Sequence, residues 1–169
     1  MKIDRKILDD FFDSFKRAGM AVAYKNSFIY TKFSNSININ SIFNIGSISK
    51  VFTAVAVLIL QDMGKIKLDE KVVKYLPNFK MKDPRYEEIT IRMLLNHSSG
   101  LRGTSFTGAF GYSFCEVVDL FFKNLENSSL QYNPGFIRIY CDDGFFLAQI
   151  LIEKVSGLSF WVYFSKNWA

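Results

Sequence analysis

Apolar residues recur at helical spacing through the first fifteen positions, and the pattern then changes to short apolar runs. The first pattern predicts an amphipathic helix that ends before Gly19. The second predicts a β-hairpin, with a strand at 20–24, a polar turn, and a returning strand at 28–33 that is rich in aromatic and β-branched residues. Because an isolated hairpin is only marginally stable in water, we expect other strands to pair with it.

The rest of the chain is predicted to be mainly helical. The most apolar helix begins at Ser47 and ends at Gly64, and apolar residues cover most of its faces, so we expect those faces to be buried. Further helices are predicted from capping residues: Asp69 to before Pro77, Thr90 to Leu95, Ser113 (with Glu116 in a capping box) to Leu125, Asp142 or Asp143 to Val155, and Ser159 to the chain end.

A turn at 133–135 and an extended segment at 136–140 separate two of these helices. The residues contain no internal repeat or low-complexity linker, so we predict a single domain over 1–169. The hairpin beside many helices indicates the α+β class.

Composition narrows the class further. The chain has 169 residues, of which 49% are hydrophobic and 22% charged, as is typical of a globular domain and not of a disordered chain. The longest apolar run, Val51 to Leu60, has about half the ~20 residues that a membrane-spanning helix needs, so we expect no transmembrane segment. The N-terminus carries no apolar signal core. We therefore expect a cytoplasmic location for the chain as written, or a cell-envelope location if a leader was removed.

Cysteine, histidine and charge exclude several kinds of site. Cys115 and Cys141 lack metal-site spacing, and we expect two buried thiols rather than a disulfide. A single histidine argues against structural zinc, and no metal or organic cofactor is expected. The net charge is +5, and seven basic residues lie between Lys65 and Arg85. Acidic residues interrupt that stretch, and it lacks the interleaved pattern of aromatic residues that stacks on bases. Both features favour a solvated surface and no nucleic-acid partner.

Ser47 and Lys50 are the first candidates for catalysis. If Ser47 begins a helix, Lys50 lies one turn later on the same face, where its amine can meet the serine hydroxyl. A serine becomes a good nucleophile when a neighbour takes its proton, and a lysine can do so if burial or another cation lowers its pKa. The spacing alone leaves open a simpler interpretation, in which Ser47 is an N-cap and Lys50 extends into solvent.

A longer stretch around these two residues resembles a known active-site motif. Residues 43–54, FNIGSISKVFTA, resemble the first motif of the serine β-lactamase and penicillin-binding-protein superfamily, in the branch of class C β-lactamases, DD-peptidases and related esterases. Further stretches are similar to that family in the same order: GKIKLDEKV at 64–72 with YLP at 75–77, ITIRMLLNHSSGL at 89–101, and NPG at 133–135 followed by YCD at 140–142 and Gly144. The resemblance implies a β-lactamase/transpeptidase-like fold, here mostly helical with an N-terminal hairpin and an incomplete antiparallel sheet.

The resemblance also implies roles for matching positions. Ser47 would be the acylated nucleophile, Lys50 its proton-transfer partner, and Tyr140 the phenol that shares or relays this proton at the leaving group. The substrate would be a β-lactam, a peptidoglycan peptide or a small ester. Asp142 occupies a substrate-binding position where the family usually has Asn. Because an ionised Asp cannot donate to a substrate carbonyl, and would raise the pKa of a nearby Lys50, an esterase or peptidase activity is favoured over penicillin hydrolysis.

Two other polar residues have simpler interpretations. His97 lies beside a helix-ending Ser98-Ser99-Gly100 turn, which favours a structural hydrogen-bonding role over a Ser-His-Asp triad. Ser105 lies among glycines and is predicted to belong to a loop, which could line the substrate entrance, and not to be a nucleophile. The sequence has no Gly-x-Ser-x-Gly elbow, so an α/β-hydrolase is not expected.

The third motif of the family, Lys or His followed by Thr or Ser and Gly, does not occur after Tyr140, and Ser165-Lys166-Asn167 is not a substitute. We therefore expect an incomplete serine hydrolase whose activity needs residues beyond Ala169 or from another chain. Loss of one oxyanion donor, which that strand supplies in the family, typically costs about 10²–10³ in rate. The alternative is an inactive truncated remnant that acts as a binding or interaction protein, with homo-oligomers formed through uncovered apolar surface.

Overall fold

Two compact units divide the chain, Met1–Ile45 and Gly46–Ala169. The computed structural model describes residues 4–103 and 113–167, so the loop predicted around Ser105 lies outside the described residues. The assignment of the whole chain to one domain stays a prediction.

The first unit contains the predicted helix and hairpin, as α1 (Arg5–Phe12), β1 (Gly19–Tyr24) and β2 (Ser27–Phe33). The two strands are antiparallel, and the described residues contain this one two-stranded sheet. Their turn is formed by Lys25 and Asn26, both with positive φ, as tight hairpin turns require. The Tyr30 hydroxyl and the Lys32 ammonium both donate to the Asp9 carboxylate, at 2.7 and 2.9 Å, which fixes the hairpin against α1.

The second unit contains the helices. They are α2 (Ser49–Asp62), α3 (Ile91–Leu95), α4 (Phe114–Glu126), α5 (Asp142–Ser156) and α6 (Phe160–Asn167). Local caps form as predicted at the starts of α3 and α4, whereas α2 and α5 begin without a side-chain cap. The Thr90 side chain accepts from the Met93 N–H at the start of α3, and Ser113 with Glu116 forms a complete capping box at the start of α4. Gly157 ends α5 in the left-handed conformation, with φ of 71°.

The prediction of a helix that begins at Asp69 is wrong. The chain instead forms a turn there and then a short 3₁₀ helix at Val72–Lys74. The Asp69 carboxylate accepts from both the Nε and an Nη of the Arg92 guanidinium, at 2.6 and 2.8 Å. The carboxylate is thus paired with a side chain 23 positions away, a contact that sequence spacing does not reveal.

The core of the second unit forms around α5. This helix packs against α2, α3 and α6, and its buried residues include Leu147, Leu151 and Ile152. Val57 and Leu60 of α2 are fully buried on the facing side. On the other side of α2, Val51 and Leu58 remain 59% and 41% exposed, so the prediction that most faces of this helix are buried is wrong for that side.

Among the described residues, no single helix has the length and apolar composition to cross a membrane. Helices α5 and α6 would meet that test only as a pair, and the pair is bent by 73°.

Candidate active site

Ser47 lies in a 3₁₀ turn, Gly46–Ile48, that leads directly into α2. The α-helix therefore begins two residues later than predicted, and Lys50 occupies its first turn. Lys50 Nζ donates to Ser47 Oγ at 3.2 Å, and the Lys50 side chain is only 19% exposed. The proximity expected from the spacing is present, and the interpretation of Ser47 as an N-cap with a solvated Lys50 is wrong on both points.

Tyr140 reaches the same serine from a distant part of the chain. Its hydroxyl donates to Ser47 Oγ at 2.6 Å, although 93 positions separate the two residues. Lys50 Nζ also lies 4.9 Å from the centre of the Tyr140 ring, within the range of a cation–π contact. Ser47 Oγ thus accepts hydrogen bonds from both residues that the resemblance pairs with it. The roles of these three residues stay predictions.

Asp142 is the first residue of α5, and its carboxylate lies 2.6 Å from Lys50 Nζ. Burial by itself lowers the pKa of Lys50, but the hydrogen bonds and negative charge of Asp142 and the contact with Tyr140 outweigh it. The net result is a pKa above the ordinary value of lysine, so Lys50 is an ammonium near neutral pH. This is the effect expected from an aspartate at position 142.

Ser47, Lys50 and Asp142 border a cleft of about 340 Å³. This volume lies at the small end of the range for ligand-binding clefts. Besides Ser47, Lys50 and Asp142, its lining includes Phe145, Phe146 and Gln149. Sequence reasoning missed these last three. The signal was available in their spacing, since positions 142, 145, 146 and 149 fall on one face of a helix. The cleft therefore joins a polar end, which holds the serine, to an aromatic wall.

The prediction for the two cysteines is wrong in one respect, the burial of Cys115. Both are free thiols, as predicted, but Cys115 is exposed on the first turn of α4, so the prediction of two buried thiols is wrong for this residue. Cys141, next to Tyr140, is buried, and burial raises the pKa of its thiol to about 11. It stays protonated at neutral pH and does not compete with Ser47 as a nucleophile.

The part of the chain that the structure describes contains no candidate metal site. No group of three or more His, Cys, Asp or Glu side chains lies close enough there to hold an ion.

Comparison with known proteins decides the family. The family model described as Beta-lactamase matches residues 5–169. The chain belongs to the beta-lactamase family. Among the curated members of this superfamily, penicillin-binding protein 4* of Bacillus subtilis is 31% identical over 150 residues, which are 84% of this chain and 32% of that protein. The chain thus spans about a third of the length of the curated relatives that it matches.

This beta-lactamase-family chain shares its fold with solved structures of known hydrolases. A D-stereospecific amidohydrolase from Streptomyces sp. superposes with a TM-score of 0.68 at 29% identity, over 82% of this chain and 44% of that one. A class C beta-lactamase solved with cefoxitin gives a TM-score of 0.76 at 20% identity, over 96% of this chain and 46% of that one. The fold is α+β and β-lactamase/transpeptidase-like, as predicted.

Proposed function

We propose that this chain is part of a serine hydrolase in which Ser47 forms an acyl-enzyme with a carbonyl substrate. The observation that carries the proposal is the convergence of Lys50 Nζ and the Tyr140 hydroxyl on Ser47 Oγ, at 3.2 and 2.6 Å. Both distances are within or at the edge of the range in which a proton can pass between hydrogen-bonded groups. The cleft beside Ser47 leaves room for a small acyl group.

The proposed reaction begins with removal of the Ser47 hydroxyl proton. Only the neutral amine of Lys50 can accept this proton, either directly or through the Tyr140 hydroxyl. Ser47 Oγ then bonds to the substrate carbonyl carbon, and the carbonyl π electrons move to its oxygen. When the tetrahedral intermediate collapses, the bond to the leaving group breaks, the Tyr140 hydroxyl gives its proton to the leaving group, and the Lys50 ammonium returns the proton taken from Ser47 to Tyr140. Water then attacks the ester carbonyl and gives a proton to the neutral Lys50 amine. Collapse breaks the bond to Ser47 Oγ, which takes that proton back as the acid leaves.

Asp142 supports one choice among the expected substrates. Its carboxylate accepts hydrogen bonds and cannot donate one to the amide carbonyl of a penicillin side chain. We therefore favour an ester or a peptide as substrate over a penicillin. Because the chain covers about a third of its relatives, residues outside it would complete the oxyanion-binding part of the site.

Adduct mapping tests this proposal. The protein is treated with a fluorescent penicillin or with a fluorophosphonate, digested, and analysed by mass spectrometry. We expect the fluorophosphonate, which loses fluoride on attack, to modify the peptide that contains Ser47, and the penicillin to react more slowly at the same residue. An unmodified Ser47 peptide with both reagents would overturn the acyl-enzyme proposal and favour the alternative of a chain that binds without turnover.

The Asp142→Asn variant is expected to label faster than the wild type. The substitution removes the negative charge that raises the pKa of Lys50, so a larger fraction of the amine is neutral at a given pH. A partly exposed ion pair contributes about 0.2–1 kcal/mol, which corresponds to a rate increase of roughly up to fivefold at pH 7. The rise of the labelling rate with pH should also move to lower pH.

The matched control is Asp119→Asn, which removes a carboxylate from the exposed side of α4. It should leave both the rate and the pH profile unchanged. If Asp142→Asn labels at the wild-type rate with the same pH profile, the aspartate does not limit the base.

A further inference from the structure

His97 has an unusual backbone conformation close to the site. Its φ is +64°, and among residues 4–103 and 113–167 only Lys25 and Asn26 of the hairpin turn share a positive φ without being glycine. Histidine is one of the few residues that adopt this conformation with some frequency. The reversal follows directly after α3, where the His97 N–H donates to the Leu94 carbonyl. It allows both the carbonyl and the side chain of His97 to meet the segment that carries Tyr140.

Three contacts connect His97 to three consecutive residues. Its carbonyl oxygen accepts from the Ile139 N–H at 2.9 Å, and its Nδ1 accepts from the Cys141 N–H at 3.1 Å. Between them, the imidazole and the Tyr140 ring lie 4.6 Å apart, centre to centre, at 35°. His97 therefore contacts Tyr140 and both of its neighbours.

The segment that carries Tyr140 needs such support. Residues 137–141 form neither helix nor strand, so no regular ladder of hydrogen bonds fixes the backbone. Gly135, further upstream, is connected to the same turn through its N–H, which donates to the Ser98 carbonyl at 2.8 Å. The position of the Tyr140 hydroxyl thus depends on contacts with residues 97 and 98, which lie outside its own segment.

We propose that His97 is a positioning residue that holds the Tyr140 hydroxyl against Ser47 Oγ through the Nδ1 contact with Cys141 and the face of its ring. The catalytic part of this inference rests on the function proposed above, whereas the positioning itself does not. A displacement of about 1 Å in a catalytic group can cost about a hundredfold in rate. A residue that fixes a hydroxyl at 2.6 Å from the nucleophile therefore affects the reaction without contacting the substrate.

The chemistry requires one form of the imidazole. Nδ1 can accept the Cys141 N–H only when it carries no proton, so the proton of the neutral ring lies on Nε2. Burial lowers the pKa of His97, and the positive charges of Arg138 and Lys50 act in the same direction, whereas Asp142 opposes them. The neutral ring is therefore the form present at pH 7. Protonation in acid would put an N–H on Nδ1, which would then face the Cys141 N–H, so that two donors would meet.

A matched pair of variants separates the ring from the backbone. His97→Gly suits the positive φ and keeps the carbonyl that binds Ile139, but removes the acceptor for Cys141. His97→Asn also tolerates this φ and keeps an acceptor oxygen near the position of Nδ1. Both variants should keep the fold, which thermal unfolding checks.

Amide hydrogen exchange measures the positioning without reference to activity. In His97→Gly, the Cys141 amide should exchange at least about tenfold faster than in the wild type, while His97→Asn restores most of its protection. The Ile139 amide is the internal control and should stay protected in all three proteins. Because His97 is the only histidine, its ¹⁵N spectrum shows a single imidazole, which should carry its proton on Nε2 at pH 7. An unchanged Cys141 exchange rate in His97→Gly, or a protonated Nδ1, would overturn the inference.

Labelling kinetics measure the consequence at Ser47. We expect His97→Gly to react with the fluorophosphonate about tenfold more slowly than the wild type, and His97→Asn to recover most of the rate. In a Tyr140→Phe background, His97→Gly should cause no further loss, because the hydroxyl that it positions is gone. An equal loss in both backgrounds would contradict positioning through Tyr140. If the wild type itself does not label, the proposed function fails, and the exchange and tautomer data still decide the positioning.

Discussion

The Ser47→Ala variant is expected to lose covalent labelling by both the fluorophosphonate and the fluorescent penicillin, by about 10³-fold or more. Lys50 Nζ and the Tyr140 hydroxyl both donate to Ser47 Oγ, so the substitution removes the atom on which the two groups converge. Removal of a nucleophile eliminates the covalent step itself, whereas removal of a neighbour only slows it. The second-order rate constant, measured by in-gel fluorescence over time, gives the size of the loss.

The matched control is Ser165→Ala, which removes an exposed hydroxyl next to a lysine on α6. It should label at the wild-type rate, and both variants should unfold at the wild-type temperature. Labelling of Ser47→Ala at more than a few per cent of the wild-type rate would mean that another nucleophile reacts.

The Tyr140→Phe variant is expected to label about a hundredfold more slowly than the wild type, because a positioned acid–base group contributes about 10²–10⁴. The change removes the hydroxyl that donates to Ser47 Oγ at 2.6 Å. It keeps the ring that lies 4.6 Å from His97 and 4.9 Å from Lys50 Nζ. A loss of rate therefore reports on the proton and not on the packing.

Tyr132→Phe is the control, since Tyr132 is exposed on the turn that precedes the same segment. Its rate should match that of the wild type. Equal rates in Tyr140→Phe and Tyr132→Phe would remove Tyr140 from the proposed proton path and leave Lys50 as the direct partner of Ser47.

Local signals predicted much of the fold. The capping box of Ser113 and Glu116 lies within one helical turn, so the sequence contains everything that forms it, and α4 begins where predicted. Asp69 has similar capping chemistry, but Arg92, 23 positions away, binds its carboxylate. A contact with such a distant partner is invisible in spacing.

The contacts of the candidate site also divide into local ones, which spacing predicts, and distant ones, which it does not. Ser47 and Lys50 meet because they lie three residues apart at the start of one helix, and spacing predicts this contact. Tyr140 reaches Ser47 across 93 positions, and only the resemblance of YCD at 140–142 to a known motif indicated the pair. For His97, the adjacent turn suggested hydrogen bonding, while its partners Ile139 and Cys141 became known only from the fold.

The two donors at Ser47 have a consequence for the reactivity of the resting site. A neutral hydroxyl oxygen has two lone pairs, and Lys50 and Tyr140 each engage one of them. A neutral serine can attack a carbonyl only through a free lone pair, so as long as Ser47 keeps its proton, one donor must release the oxygen first. A hydrogen bond from a charged group contributes about 1.5–3 kcal/mol, which corresponds to roughly a ten- to hundredfold reduction in reactivity. The resting serine is therefore shielded from adventitious electrophiles until a bound substrate, or loss of the Lys50 proton, frees an electron pair.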